Sequence, residues 1–217
     1  MSHVPGARAA VLAAAAGLLA KGLVEGTSGN VSARQEDGTF VVTPSSVDYS
    51  SMVEDDLVVV DSGGAVLDSP AGHSPSSEVS LHLACYTAFS DVASVIHAHP
   101  VWATMFAAAH EELPPCVDEL ATYVGGEVRC SEYAVPGSEQ LGAAAVAALQ
   151  GRGAALLANH GVVAVGPSPA RVLHIVALVE RTAQIAWGAR ALGGPRPLPG
   201  QVASDLAGVY PLMRALP

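Results

Sequence analysis

Apolar and polar positions along the chain follow two rhythms. Residues 4–21 place alanine, valine and leucine at helical spacing and stop at Gly22, which predicts a first helix. After the loop "GTSGN" at residues 26–30 the period shortens. "VSARQ" and "TFVVT" flank Asp37-Gly38, and "LVVVD" and "AVL" flank Ser62-Gly63-Gly64, predicting two hairpins. "SSEVSLHLACYTAF" returns to helix, with Ser76 or Ser77 as its cap and Glu78 in its first turn, where an acid suits the helix dipole. "SVIHAH" reads as a strand, Pro100 opens the helix "VWATMFAAA", and Ser138 caps "EQLGAAAVAAL". "AALLANHGVVAVG" reads as two strands meeting on His160-Gly161, and Pro169 begins a long helix to about residue 192. "PRPLPG" then ends the regular structure and leaves residues 193–217 as a tail.

Hairpins with flanking helices predict an α/β fold, a single α/β/α layered domain over residues 1–217 with a central, mainly antiparallel sheet between helices. A length of 217 residues suits one domain. Charge narrows the partners: 20 acids against 10 bases give a net charge of -10, with no basic stripe for nucleic acid or an anionic membrane. The three cysteines contain no CxxC pair and point to a reducing compartment. The apolar run at residues 7–23 is broken by Gly17 and has weak basic flanks and no convincing cleavage region. It falls short of the roughly 20 residues a membrane span needs, so it is read as a buried helix of a cytoplasmic protein.

Candidate chemistry begins with "IHAH". On a strand, His97 and His99 project to the same side and could hold one divalent ion, or they could be an ordinary exposed pair. His160 interrupts a second apolar strand at a glycine turn and offers a third imidazole, although it could equally serve only the turn. Three imidazoles with an open fourth position suit a catalytic rather than a structural metal site. Glu78 follows two serines at a helix start, where it is either a capping acid or an acid/base beside an anion-binding turn. His82, one turn later, reads as a satisfied histidine or a partner of Glu78. "GTSGN" and "TPSSVDYSSM" are small-residue loops that could present donors to phosphate, but neither is a nucleotide-binding signature. His3, His73, His110 and His174 belong to no constellation.

"GTSGNVSAR", "TPSSVDY", "PSSEVSLHLACY", "VIHAHP" and "LLANHGVVAVG", in this order, resemble the class II aldolase and adducin head family over about residues 7–192. The resemblance implies a homotetramer with active sites between subunits. It implies His97, His99 and His160 as ligands of Zn2+, with Mn2+, Co2+ or Fe2+ as other occupants, and Glu78 as the catalytic acid/base. Gly29, Asn30, Ser45, Ser46, Ser76 and Ser77 become the phosphate pocket. The sequence departs from the family at Ser46, where glycine is common, and near Glu119, where a tyrosine proton donor is expected. Glu119, Tyr123 and Tyr210 are the candidates for that role. The implied reaction is cleavage of a ketose 1-phosphate, such as L-fuculose 1-phosphate, to dihydroxyacetone phosphate and an aldehyde through an enediolate supported by the ion. The alternatives are a ribulose-phosphate 4-epimerase, a sugar-phosphate dehydratase or decarboxylase, and a non-catalytic adducin-like assembly module. With Lys21 as its single lysine, inside the first helix's polar end, the chain is poorly equipped for Schiff-base aldol chemistry.

Overall fold

The computed structural model describes residues 2–216. Helix α1 (Ala7–Ala20) leads into strands β1 (Asn30–Arg34) and β2 (Phe40–Val42), and a short 3-10 turn precedes β3 (Val58–Val60) and β4 (Val66–Asp68). Then follow α2 (Val79–Ala88), β5 (Ser94–Ala98), α3 (Val101–Ala109), α4 (Asp118–Val124), β6 (Arg129–Cys130) and α5 (Glu139–Ala148). The chain continues through β7 (Ala154–Leu157), β8 (Gly161–Gly166), α6 (Pro169–Arg190) and α7 (Gly200–Ala215).

The strands form one sheet in the order β4-β3-β2-β1-β5-β8-β7-β6. Every pairing is antiparallel except β6 with β7. Side-chain alternation sorts the two faces. Val31, Ala33, Ile96, Ala98 and Val162 pack beneath α1, α3 and α6. Val95, Val163, Val165 and Leu157 pack beneath α2 and α5. The central strands are buried on both faces, which is why β5 and β8 read as nearly continuous apolar runs. The α/β/α layering and mainly antiparallel sheet bear out the expected fold class.

Both predicted hairpins form, Ser138 Oγ accepts from the Leu141 N–H at 3.2 Å, and Pro169 begins α6 behind its cap Ser168. Three expectations are corrected. The first helix starts at Ala7 rather than at residue 4, because Gly6 sits at φ 61° and the Val4 N–H donates to the Arg34 carbonyl. α2 begins at Val79, with Glu78 as the residue before it rather than in its first turn, and no side chain caps this helix. Instead, Ser76 Oγ accepts from the Glu78 N–H at 3.3 Å. Residues 193–217 are not simply a tail: α7 occupies Gly200–Ala215, tolerates Pro211, and packs against α4.

Candidate metal centre and active site

The sheet register brings Asn30, His97 and the β7–β8 turn to one end of the sheet. Asn30 pairs with His97, Ala98 with Val162, and Leu157 with Gly161. His97 therefore lies one residue before the end of β5, on the α2 side, and His99 follows just beyond the strand. His160 reaches the same place because Gly161 lets its turn close on β5, and Gly29 lets the chain before β1 close on the same strand. A Cβ on Gly161 would lie 2.5 Å from the Ala98 carbonyl oxygen and 2.7 Å from His99 Cδ2. A Cβ on Gly29 would lie 2.9 Å from the His97 carbonyl oxygen, and Gly29 sits at φ 79°.

The three rings lie with centroids 4.6 Å (His97 to His99), 4.6 Å (His97 to His160) and 5.0 Å (His99 to His160) apart. One ligand atom from each falls within 4.8 Å of the others. His97 Nδ1–H donates to the Val162 carbonyl at 2.9 Å, which leaves Nε2 with a lone pair. That lone pair faces His99 Nε2 at 2.8 Å and Glu78 Oε2 at 3.2 Å. Glu78 Oε1 lies 3.5 Å from His160 Nε2 and, like His160 Nδ1, is buried without a hydrogen-bond partner among the described residues. Burial, reinforced by His99 and His160, holds His97 well below the ordinary histidine pKa. Burial, with help from His160, lowers His99 from 6.5 to about 4. The His97 Nε2 lone pair, with His99 Nε2 and the Glu78 carboxylate close by and His160 Nε2 beside the same carboxylate, gathers imidazole and carboxylate donors around one point. The donor set therefore fits a divalent ion.

Around this cluster lie the expected phosphate residues. The segments at residues 43–46 and 74–76 run side by side: the Ser45 N–H donates to the Ser74 carbonyl, the Ser76 N–H to the Thr43 carbonyl, and Pro44 bridges Pro75. The Val31 N–H donates to Thr43 Oγ1 at 3.1 Å, which ties this pair of segments to the strand carrying Asn30. Ser45, Ser46 and Ser77 are exposed while Asn30 and Ser76 are buried. Ser46 holds φ 63°, a left-handed conformation that suits the glycine common in the family.

The three candidate proton donors have other partners within the chain. Glu119 is exposed on α4 and pairs with Arg181 of α6 at 3.4 Å. Tyr123 packs edge-on against His174 with centroids 5.2 Å apart. The Tyr210 hydroxyl accepts from Arg214 Nη1 at 2.9 Å and is buried over Gly125 and Gly153, at the opposite end of the sheet from His97.

Two supports escaped the sequence reading. Glu180 of α6 accepts the N–H groups of Trp102 (3.0 Å) and Ala103 (2.9 Å), capping α3 directly after His99 and Pro100. His110 donates from Nε2 to Asn159 Oδ1 at 2.6 Å, and the Asn159 N–H donates to the Ala107 carbonyl. Both anchor the turn that ends in His160. A charged residue amid the apolar "VALVERTAQIA" was the available signal for Glu180, and nothing local marked His110.

A triad of one buried and two half-buried imidazoles beside a carboxylate, on this sheet, defines a class of protein: the chain belongs to the class II aldolase and adducin N-terminal domain family, whose model matches residues 9–187. Among individual relatives, a 5-deoxy-D-ribulose 1-phosphate aldolase of Bacillus thuringiensis serovar kurstaki is 32% identical over 191 residues, covering 88% of each chain. An L-ribulose-5-phosphate 4-epimerase of Salmonella paratyphi C is 34% identical over 184 residues, covering 79% of each. The solved structure of an L-fuculose 1-phosphate aldolase superimposes with a TM-score of 0.90 at 33% identity, covering 97% of this chain and 98% of that one. No helix among the described residues is long and apolar enough to cross a membrane.

Proposed function

We propose that this protein is a metal-dependent lyase that cleaves a ketose 1-phosphate, of the kind represented by L-fuculose 1-phosphate or a 5-deoxypentulose 1-phosphate, to dihydroxyacetone phosphate and an aldehyde. The observation that carries this reading is the cluster of His97, His99 and His160 beside the Glu78 carboxylate, with Oε2 3.2 Å from His97 and Oε1 3.5 Å from His160, Oε1 being buried without a hydrogen-bond partner among the described residues. A divalent ion held by the three histidines, zinc by preference for three imidazoles, supplies Lewis-acid polarisation of the substrate carbonyl and its neighbouring hydroxyl.

The other steps belong to the chain. Asn30, Ser45, Ser46, Ser76, Ser77 and the backbone at Gly29 bind the phosphate and place C3 of the sugar against Glu78. Glu78 returns a proton to C3 as the C3–C4 bond breaks, and moves the same proton in reverse during condensation. The C4 hydroxyl loses its proton to a second group, for which Glu119, Tyr123 and Tyr210 are the candidates. None of the three joins the histidine cluster of its own chain, so the assignment places that group at a contact between subunits of a homotetramer.

A C4 epimerase is the second reading, favoured by the epimerase relative and by the carboxylate at position 119 where the aldolase pattern expects tyrosine. Dehydratase and decarboxylase chemistry would use the same ion and base. A non-catalytic assembly role leaves the histidine triad and the buried Glu78 without a purpose. The deciding assay is triose phosphate release from a panel of phosphorylated ketoses, with bound metal measured on the same sample. Release of dihydroxyacetone phosphate, abolished by Glu78→Gln, supports the lyase. A C4 epimer formed without triose phosphate replaces it with the epimerase, and no turnover together with no bound metal overturns both.

A further inference from the structure

Strand β1 breaks the apolar pattern on the side facing α2. Val31 and Ala33 enter the core beneath α1, yet Asn30, Ser32 and Arg34 on the other side are polar and 4%, 1% and 5% exposed. Helix α2 covers them with His82 and Tyr86, themselves 1% and 4% exposed. Polar residues are costly in such a place unless each is satisfied.

They are satisfied in one direction. A carboxylate can only accept, so the contact of 3.0 Å between Asn30 Nδ2 and Glu78 Oε2 fixes the amide with its NH2 toward Glu78. Asn30 Oδ1 is then turned to His82 Nε2, which must carry the imidazole proton. The His82 Nδ1 is left as acceptor, and Ser32 Oγ, 2.6 Å away, donates to it. That uses the single Ser32 hydroxyl proton, so the Tyr86 hydroxyl donates to Ser32 Oγ across 2.7 Å. Burial lowers the His82 pKa to about 3 and so keeps the ring neutral, with the one N–H this chain of donors requires.

We propose that His82, Ser32 and Tyr86 are positioning residues for Glu78, forming a directed hydrogen-bond chain that anchors Oε2 through Asn30 and leaves Oε1 as the oxygen that exchanges a proton with substrate. The two oxygens of one carboxylate thereby take separate tasks. The geometry stands on the chain alone, whereas the assignment of Oε1 to proton exchange rests on the lyase reading.

The test has a spectroscopic arm and a kinetic arm. In 15N-histidine-labelled protein without added metal, long-range 15N–1H correlation NMR should find one histidine, missing from His82→Gln, as the neutral Nε2–H tautomer. Its Nε2 proton should shift in Tyr86→Phe, which keeps the ring stacked on Phe40. In the kinetic arm His82→Leu, which cannot donate to Asn30, should lower kcat by about 10–100-fold. His82→Gln, which can donate, should retain most of the activity, with KM and bound metal little changed in both variants. An Nδ1–H tautomer, an unmoved proton in Tyr86→Phe, or equal kcat in the Leu and Gln variants overturns the proposal. If the wild-type protein cleaves no ketose 1-phosphate, the lyase reading falls and, with it, the assignment of Oε1, while the tautomer and the Tyr86→Phe shift still decide the chain.

Discussion

The two ends of the central sheet use their buried polar groups in opposite ways. At the end carrying Asn30, His97 and Gly161, three imidazoles crowd together beside Glu78, whose Oε1 lacks a hydrogen-bond partner among the described residues. At the other end every polar group of the cluster meets a partner in its own chain. Arg214 binds Asp91 through Nε at 2.6 Å and gives Nη1 to the Arg152 carbonyl and the Tyr210 hydroxyl, while Arg152 Nη2 binds Glu127 at 2.6 Å. The second arrangement docks a helix. The first is organised for something the chain does not itself supply.

Breaking each end should therefore have different consequences. The largest effect is expected at the site: Glu78→Gln should reduce kcat by about 10²–10⁴-fold with the fold intact, measured as triose phosphate release beside a thermal melt. Gly161→Ala forces a Cβ to within 2.5 Å of the Ala98 carbonyl oxygen and 2.7 Å of His99 Cδ2. It should lower stability by about 1–3 kcal/mol and weaken metal binding together, read by denaturant unfolding and metal titration. Arg214→Ala should also cost about 1–3 kcal/mol in the same unfolding experiment, but leave metal per chain unchanged.

Acid should separate the ends further. In the metal-free protein, burial depresses His82 from 6.5 to about 3 and His99 to about 4, so the unfolded state takes up protons first as pH falls. The stability from keeping these rings neutral is fully present above pH 6.5 and is lost on acidification toward pH 4 and then 3. The slope is up to about 1.4 kcal/mol per pH unit for each histidine, and urea unfolding from pH 7 to pH 4 should show it flattened in His82→Gln. The smallest change is at the rim. Ser46→Gly relieves the left-handed φ of 63° and should stabilise by about 0.5–1 kcal/mol, visible as a rise in urea midpoint.

How far the sequence could be read follows from where the controlling interactions lie. Hairpins at Asp37-Gly38 and Ser62-Gly63-Gly64 and the cap at Ser138 are set by neighbours in the chain, so they were legible. Helix α2 starts one or two residues later than its serine caps predict, because Ser76 Oγ accepts the Glu78 N–H in a turn instead of capping the helix. Helix α7 was hidden by the prolines of "PRPLPG" and by Pro211, and Tyr210 and Arg214 fix it to distant residues that no local pattern names. The histidines of the site were visible as polar interruptions of apolar strands. His82 stands out in the sequence only by its place one turn after Glu78, whereas Glu180, His110, Ser32 and Tyr86 are not marked as supports, since their partners lie 49 to 78 residues away in the chain.

The most direct test of the account is the number of divalent ions retained per folded chain after zinc saturation and removal of excess, measured on the wild type and on His97→Ala. About one ion per wild-type chain and almost none in the variant is the expected result. A wild type that keeps far less than one ion, or a His97→Ala protein that keeps as much as the wild type, would contradict it.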